Sequence, residues 1–204
     1  MEGFDDISFG FDLEFSGGGK RERQSIKSES IEVKTTHEIR RCVSESKLRE
    51  ILPAILEKDT SYHIISGGDI DSMSFLKHVL YSQATDYLLI STWCMAMEDI
   101  KQLDLFIKQK KIKRLDAYVG EIFPGTYLKE YEALKPVVDK TGGRVVVFRN
   151  HSKIFAGSGP DFKFVVESSA NINTNPRTEN TVITTSDALF DFYKAFFDGI
   201  KTFK

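Results

Sequence analysis

The chain is short of cysteine. Its 204 residues hold two, Cys42 and Cys94. Two are too few for a disulfide framework, and neither a CxxC spacing nor paired histidines accompany them. A reduced protein is expected, with no metal site and no cofactor. Long apolar runs are missing as well, since none reaches the roughly 18 residues that a membrane helix needs. The N-terminus is acidic and lacks the basic stretch and apolar core of a secretory signal. A cytoplasmic protein without membrane contact is therefore expected. Net charge is slight, -2 from 28 basic and 30 acidic side chains. That balance hides an asymmetry. Residues 1–19 carry Glu2, Asp5, Asp6, Asp12 and Glu14 and no base, which leaves 28 bases against 25 acids in the rest. A mildly basic body can meet phosphates, although nucleic-acid domains are often far more basic.

What is present is an ordinary globular composition, 41% hydrophobic and 28% charged, with room for one domain. Residues 1–30 read as a flexible acidic and aromatic tail and linker. Phe4, Phe9, Phe11 and Phe15 have no steady period, and Gly17-Gly18-Gly19 form a joint. These rings serve either a protein partner or an extra strand on the body. Residues 31–204 form the body. A helix is expected from about Thr36, with Ile39, Val43, Leu48, Ile51, Leu52 and Ile55 near helical spacing and Pro53 as a break or kink. From Ser61 the pattern alternates: "YHIIS", "DYLLIST" and "IKRLDAYVG" as strands, each followed by a helix. Asp69 or Asp71 is available as the first helix cap, and Gly142-Gly143 as a later stop. "RVVVFRN", "KIFAG", "FKFVVES" and "NTVITT" follow as four strand candidates, then a final amphipathic helix capped by Ser186 or Asp187. The expected fold is α/β, a mostly parallel sheet with helices on both faces.

The chemistry concentrates in "RNHSKIFAGSGPDFKFVVESSAN", residues 149–171. In an extended chain residues i and i+2 share a face, so His151 and Lys153 point the same way. An imidazole beside an ammonium suits attack on a phosphate: the nitrogen attacks or carries a proton, and the cation offsets charge on the phosphoryl oxygens. Seven residues separate Lys153 from Asp161, and six more separate Asp161 from Ser168-Ser169-Ala170-Asn171. Arg177 and Glu179 come next. This series resembles the signature of the phospholipase D superfamily, H-x-K-x(4)-D-x(6)-G-[GS]-x-N. It departs by three extra residues before Asp161 and by Ser168 in the usual glycine's place. A longer hairpin turn at "AGSGP" would absorb the extra length.

The resemblance implies a phospholipase D-like fold with the H-x-K motif on a β-hairpin. It implies His151 as nucleophile, Lys153 and Asn171 as holders of phosphate oxygens, Ser169 as a further donor, and Glu179 as the carboxylate that orients the imidazole. Asp161 is either a site residue or a turn residue. Arg177 either grips a flanking phosphate or lies in a solvated loop. Members of the superfamily join two such motifs in one site, one histidine attacking and the other protonating the leaving oxygen. His37, His63 and His78 have no lysine two positions on. The resemblance thus implies a homodimer, and a metal-independent phosphodiesterase, a hydrolase acting as a nuclease on DNA or RNA. The alternative is a phospholipase D-like module that binds nucleic acid or regulates without turnover, recruited through its tail. "SGGDIDS" lacks the Gly-Lys-Ser/Thr ending of a P-loop. Trp93 and Met95 read as core or interface residues. The basic run Lys108–Arg114 reads as a solvated face or a track for a nucleic-acid backbone.

Overall fold

The computed structural model describes residues 36–172 and 177–202, with side chains from Arg40 onward. These residues belong to one unit of the chain, Thr35–Lys204. The expected tail and linker, residues 1–30, lie outside the described residues.

Helix α1 (Thr36–Ile51) ends just before Pro53, because the residue preceding a proline is pushed out of helical geometry. The proline therefore stops this helix rather than kinking it. Leu48 and Leu52 are buried, whereas Val43, Ile51 and Ile55 face outward. Then follow β1 (Ser61–Ser66), α2 (Ser72–Ser82), β2 (Thr85–Thr92), α3 (Met97–Lys108), β3 (Ile112–Gly120), a short α4 (Phe123–Thr126) and α5 (Leu128–Asp139). The remaining elements are β4 (Val145–Phe148), β5 (Ile154–Ser158), β6 (Lys163–Ser168), β7 (Glu179–Thr185) and α6 (Asp187–Asp198). Asp71 caps α2, accepting from the Ser74 amide at 2.9 Å, while Asp69 pairs with Lys47. Ser186 caps α6 through the Leu189 amide at 3.3 Å. Gly142 takes φ +68°, and a Cβ on Gly143 would stand 1.7 Å from the Leu115 carbonyl oxygen. Only glycine tolerates that pair of demands after α5.

The seven strands form one sheet in the order β1-β7-β6-β5-β2-β3-β4. Only β2–β3 and β3–β4 pair in parallel; β1–β7, β7–β6, β6–β5 and β5–β2 are antiparallel. This corrects the expectation of a mostly parallel sheet. Strands β1, β2, β3, β4 and β6 do run one way, as βα alternation requires. However, β5 and β7 run back, and the consecutive β5, β6 and β7 insert between β1 and β2. Their insertion turns most neighbouring pairs antiparallel.

Successive strand residues alternate faces, so both faces are buried. Leu88 and Ile90 join the core under α1, α2, α3 and α5, whereas Leu89 joins Tyr118, Ile154 and Ala156 under α6. Phe190 and Phe197 anchor α6 there. Each such ring contributes about 2–3 kcal/mol when fully buried.

Candidate active site

The topology gathers one edge of the sheet. It holds the C-terminal ends of β1, β2, β3, β4 and β6 and the starts of β5 and β7. His151 and Lys153 lead into β5, Ser169 and Asn171 follow β6, and Glu179 opens β7. The Ser168 amide donates to the Lys153 carbonyl at 3.0 Å, which fastens the two segments together.

Asn150 fixes the segment that carries the histidine. It is buried. Its side-chain nitrogen donates to Ser91 Oγ (2.9 Å), the Thr92 carbonyl (3.3 Å) and the Tyr118 carbonyl (3.0 Å). Its side-chain oxygen accepts from the Ser152 amide (3.0 Å) and hydroxyl (2.7 Å). Asn150 thereby ties the ends of β2 and β3 to residues 150–152. Gly120 gives this anchor room, since a Cβ there would lie 2.6 Å from Trp93 Cδ1 and 3.2 Å from the Asn150 carbonyl oxygen.

Ser152 turns inward to Ser91 Oγ at 2.6 Å, and its neighbours His151 and Lys153 meet on the other side. The Lys153 ammonium donates to the His151 carbonyl at 2.5 Å and lies 3.0 Å from His151 Nδ1 and 3.5 Å from Nε2. The imidazole is exposed and lies 5.7 Å from the Trp93 ring, tilted by 54°. Burial pushes the Lys153 ammonium below the ordinary lysine range, while Cys94 and Glu179 pull it back up. Cys94 is itself buried, and that burial raises its thiol; Tyr127, its hydrogen-bond partner, and Lys153 act in the opposite direction.

The Lys153 nitrogen stands 3.0 Å from His151 Nδ1 and 3.5 Å from Nε2, so it rests beside the ring rather than along the lone pair of one nitrogen. A phosphate oxygen at this edge would offer the ammonium a stronger, charged acceptor.

The other side chains complete the edge. Ser169 Oγ donates to the Glu179 carboxylate and accepts from the Asn180 amide at 3.1 Å. The Asn171 carbonyl accepts from Ser72 Oγ at 2.9 Å, so its main chain is held at the start of α2. Its side-chain oxygen is buried without a hydrogen-bond partner among the described residues. A buried acceptor left unmet costs about 1–3 kcal/mol.

Asp161 is not brought to this edge. It sits in the 159–162 turn at the far end of the β5–β6 hairpin, where Ser158 pairs with Lys163. At about 3.3 Å per residue, that is roughly 17 Å or more from His151. The extra length also falls elsewhere than expected. Ala156, Gly157 and Ser158 belong to β5, so only Gly159 and Pro160 of "AGSGP" lie in the turn. Arg177 is exposed beside the edge. The basic run leads into the N-terminal end of β3, at the opposite edge of the sheet, and several of its charges are occupied: Lys108 by Asp104, Lys113 by Asp86 and Lys111 by the Leu80 carbonyl. Among the described residues no group of three His, Cys, Asp or Glu side chains is placed to hold a metal ion. No helix among them is long and apolar enough to cross a membrane.

Sequence reasoning did not find Asn150, Cys94 or Tyr127, and it read Trp93 as core or interface. Trp93 does pack against the core, yet its ring also faces His151. The available signal was position: "STWC" closes β2 at the strand end where α/β sheets bind ligands.

No family model matches this chain. No curated protein matches it either. Among solved structures it is similar to polyphosphate kinase from Porphyromonas gingivalis. The identity is 17% and the TM-score 0.54, over 74% of this chain and 28% of that one. Phosphatidylserine synthase from Haemophilus influenzae Rd KW20 matches at 14% identity and a TM-score of 0.44, over 67% of this chain and 37% of that one. TrmBL2, an archaeal chromatin protein, matches at 12% and 0.46, over 81% and 61%. This chain spans less than two thirds of each, and at these identities the likeness concerns the fold alone, through the polyphosphate kinase.

Proposed function

We propose that this chain is a metal-independent phosphodiesterase of the phospholipase D type, a nuclease that cleaves DNA or RNA as a homodimer. The observation that supports it most is the meeting of His151 and Lys153 beside Ser169 and Glu179 at one sheet edge. The His151 lone pair attacks phosphorus, and a P–N bond forms as the bond to the leaving oxygen breaks. The imidazolium of His151 in a second copy gives that oxygen its proton. Water then attacks the phosphoryl–histidine, its proton passes to the second imidazole, and the P–N bond breaks. Lys153 and the Asn171 amide hold the phosphoryl oxygens, Arg177 a neighbouring phosphate. The Glu179 carboxylate, to which Ser169 donates, accepts a hydrogen bond from the imidazole nitrogen that does not attack, which orients the ring and steadies its positive charge.

A second reading follows from the same contact. With Lys153 resting against the His151 ring, the fold can bind a phosphate backbone without turning it over, as a regulatory or nucleic-acid-binding module recruited through its acidic tail. Incubation with plasmid, single-stranded DNA, RNA and bis(p-nitrophenyl) phosphate in EDTA separates the two. Cleavage that His151→Ala removes supports the enzyme. Binding without cleavage, unchanged by that substitution, supports the module.

A further inference from the structure

We propose that Arg41 is a positioning residue for this sheet edge: it holds the starts of α2 and α3 together and so fixes the gap in which Asn171 stands. The inference rests on the reading above, in which the Asn171 amide holds a phosphoryl oxygen.

Two helices begin at the edge that carries His151, and the segment after β6 is tied to both. On one side Ser72, the first residue of α2, donates from its hydroxyl to the Asn171 carbonyl at 2.9 Å. On the other side Ala96, the cap residue of α3, donates its amide to the Ile172 carbonyl at 3.0 Å. Met95 adds a parallel bridge to Ile172. The main chain at Asn171 is thus held between two helix starts, and its position follows their separation.

Arg41 spans that separation from α1. Its guanidinium donates to Asp99 Oδ1, in the first turn of α3, at 2.6 Å, and to Gln102 Oε1 at 3.4 Å. Its Nε stands 3.7 Å from Oδ2 of Asp71, the cap of α2. The Asp71 amide donates to Ser44 Oγ at 2.8 Å, so α1 grips the start of α2 twice. Asp71 directly precedes Ser72, and the Asp99 amide donates to the Ala96 carbonyl at 3.1 Å. The groups that Arg41 grips are therefore joined to the groups that hold residues 171 and 172.

These charges supply geometry rather than stability. The Arg41, Asp71 and Asp99 side chains are only 12%, 9% and 4% exposed. Arg41 Nε is buried with no hydrogen-bond partner among the described residues. Burial pushes the Asp99 carboxyl up to about 7, Arg41 draws it down, and Asp71 adds to the rise. A buried ion pair of this kind contributes little beyond its own desolvation cost. The rigid guanidinium fork instead sets the spacing of two carboxylates that would otherwise repel across the helix starts.

The test removes the charges and keeps apolar volume, with Arg41→Met/Asp99→Leu in the full chain. This variant is expected to fold with its Tm retained or raised. Amide exchange at Ala96 and Ile172 is expected to quicken about 10-fold or more relative to the amides of β3. The kcat is expected to fall about 10-fold to 100-fold, the effect of a misplaced contact. In an Asn171→Ala background the same pair is expected to add no further loss, because both act through one group. Fully additive losses, or unchanged exchange at Ala96 and Ile172, overturn the proposal. If that variant does not fold, Arg41→Lys keeps the charge without the fork, and the same two amides decide the matter. A wild-type chain that cleaves no phosphodiester overturns the proposed activity, and amide exchange then decides the role of Arg41 by itself.

Discussion

The β5–β6 hairpin has two ends, and they use their polar groups in opposite ways. At the turn, Gln83 Oε1 accepts from the amides of Asp161 (3.0 Å) and Phe162 (3.3 Å), and Gln83 Nε2 donates to the Phe162 carbonyl at 2.7 Å. Polar groups there close on one another. At the other end an imidazole is exposed, an ammonium is half-buried, and a buried amide oxygen has no hydrogen-bond partner among the described residues. The first end stabilises the fold, and the second leaves chemical capacity for a ligand. One sequence motif spans both, so residues that stand together in a signature need not stand together in space.

The sharpest contrast is between the two carboxylates. Glu179→Gln is expected to lower kcat for phosphodiester cleavage by about 100-fold to 1,000-fold, as loss of an acid–base partner does. Asp161→Asn, at the turn, is expected to change it by less than about twofold. Comparable losses from both would erase the distinction between the ends.

Next come the two buried amides. Asn150→Ala and Gln83→Ala each strip several hydrogen bonds from buried groups, so each is expected to cost about 2–3 kcal/mol. In a chain of this size that lowers Tm by about 4–12 °C, measured by thermal unfolding. Only Asn150→Ala is expected to lower kcat of the folded protein at low temperature, because it alone frees residues 150–152. Equal stability losses with no difference in kcat would make Asn150 purely structural.

The smallest effect concerns pH. Burial holds the Lys153 pKa below that of an ordinary lysine, so the group loses its charge at a lower pH. Activity that needs the cation is present below that pKa and falls as pH rises through it. Lys153→Arg keeps its charge to far higher pH, so its alkaline limb is expected to move upward even if its kcat is reduced. An unmoved limb would mean that another group sets it.

Much of the fold was legible because local periodicity is a local property. Apart from the short α4, the order of strands and helices from Ser61 to the last helix follows from apolar spacing, and carboxylate and hydroxyl chemistry narrows each cap to two residues, of which Asp71 and Ser186 are used. Strand direction was not legible. Alternation correctly implied that β1 to β4 run one way, but nothing in the residues says that β5, β6 and β7 wedge between β1 and β2. At the site, the shared side of His151 and Lys153 follows from the two-residue repeat of extended chain. The partnership of Asn150 with Ser91 and Tyr118 does not, because those residues lie 59 and 32 positions away. Nor could spacing show that Lys153 would rest on the imidazole it was expected to assist.

The most direct measurement is a search for the covalent intermediate. An end-labelled oligonucleotide is mixed with wild-type protein in EDTA, quenched with alkali within milliseconds to seconds, and digested for mass spectrometry. The prediction is an acid-labile nucleotide adduct on His151, absent from His151→Ala. Cleavage that proceeds with no adduct on that residue, or that survives His151→Ala, would contradict the mechanism.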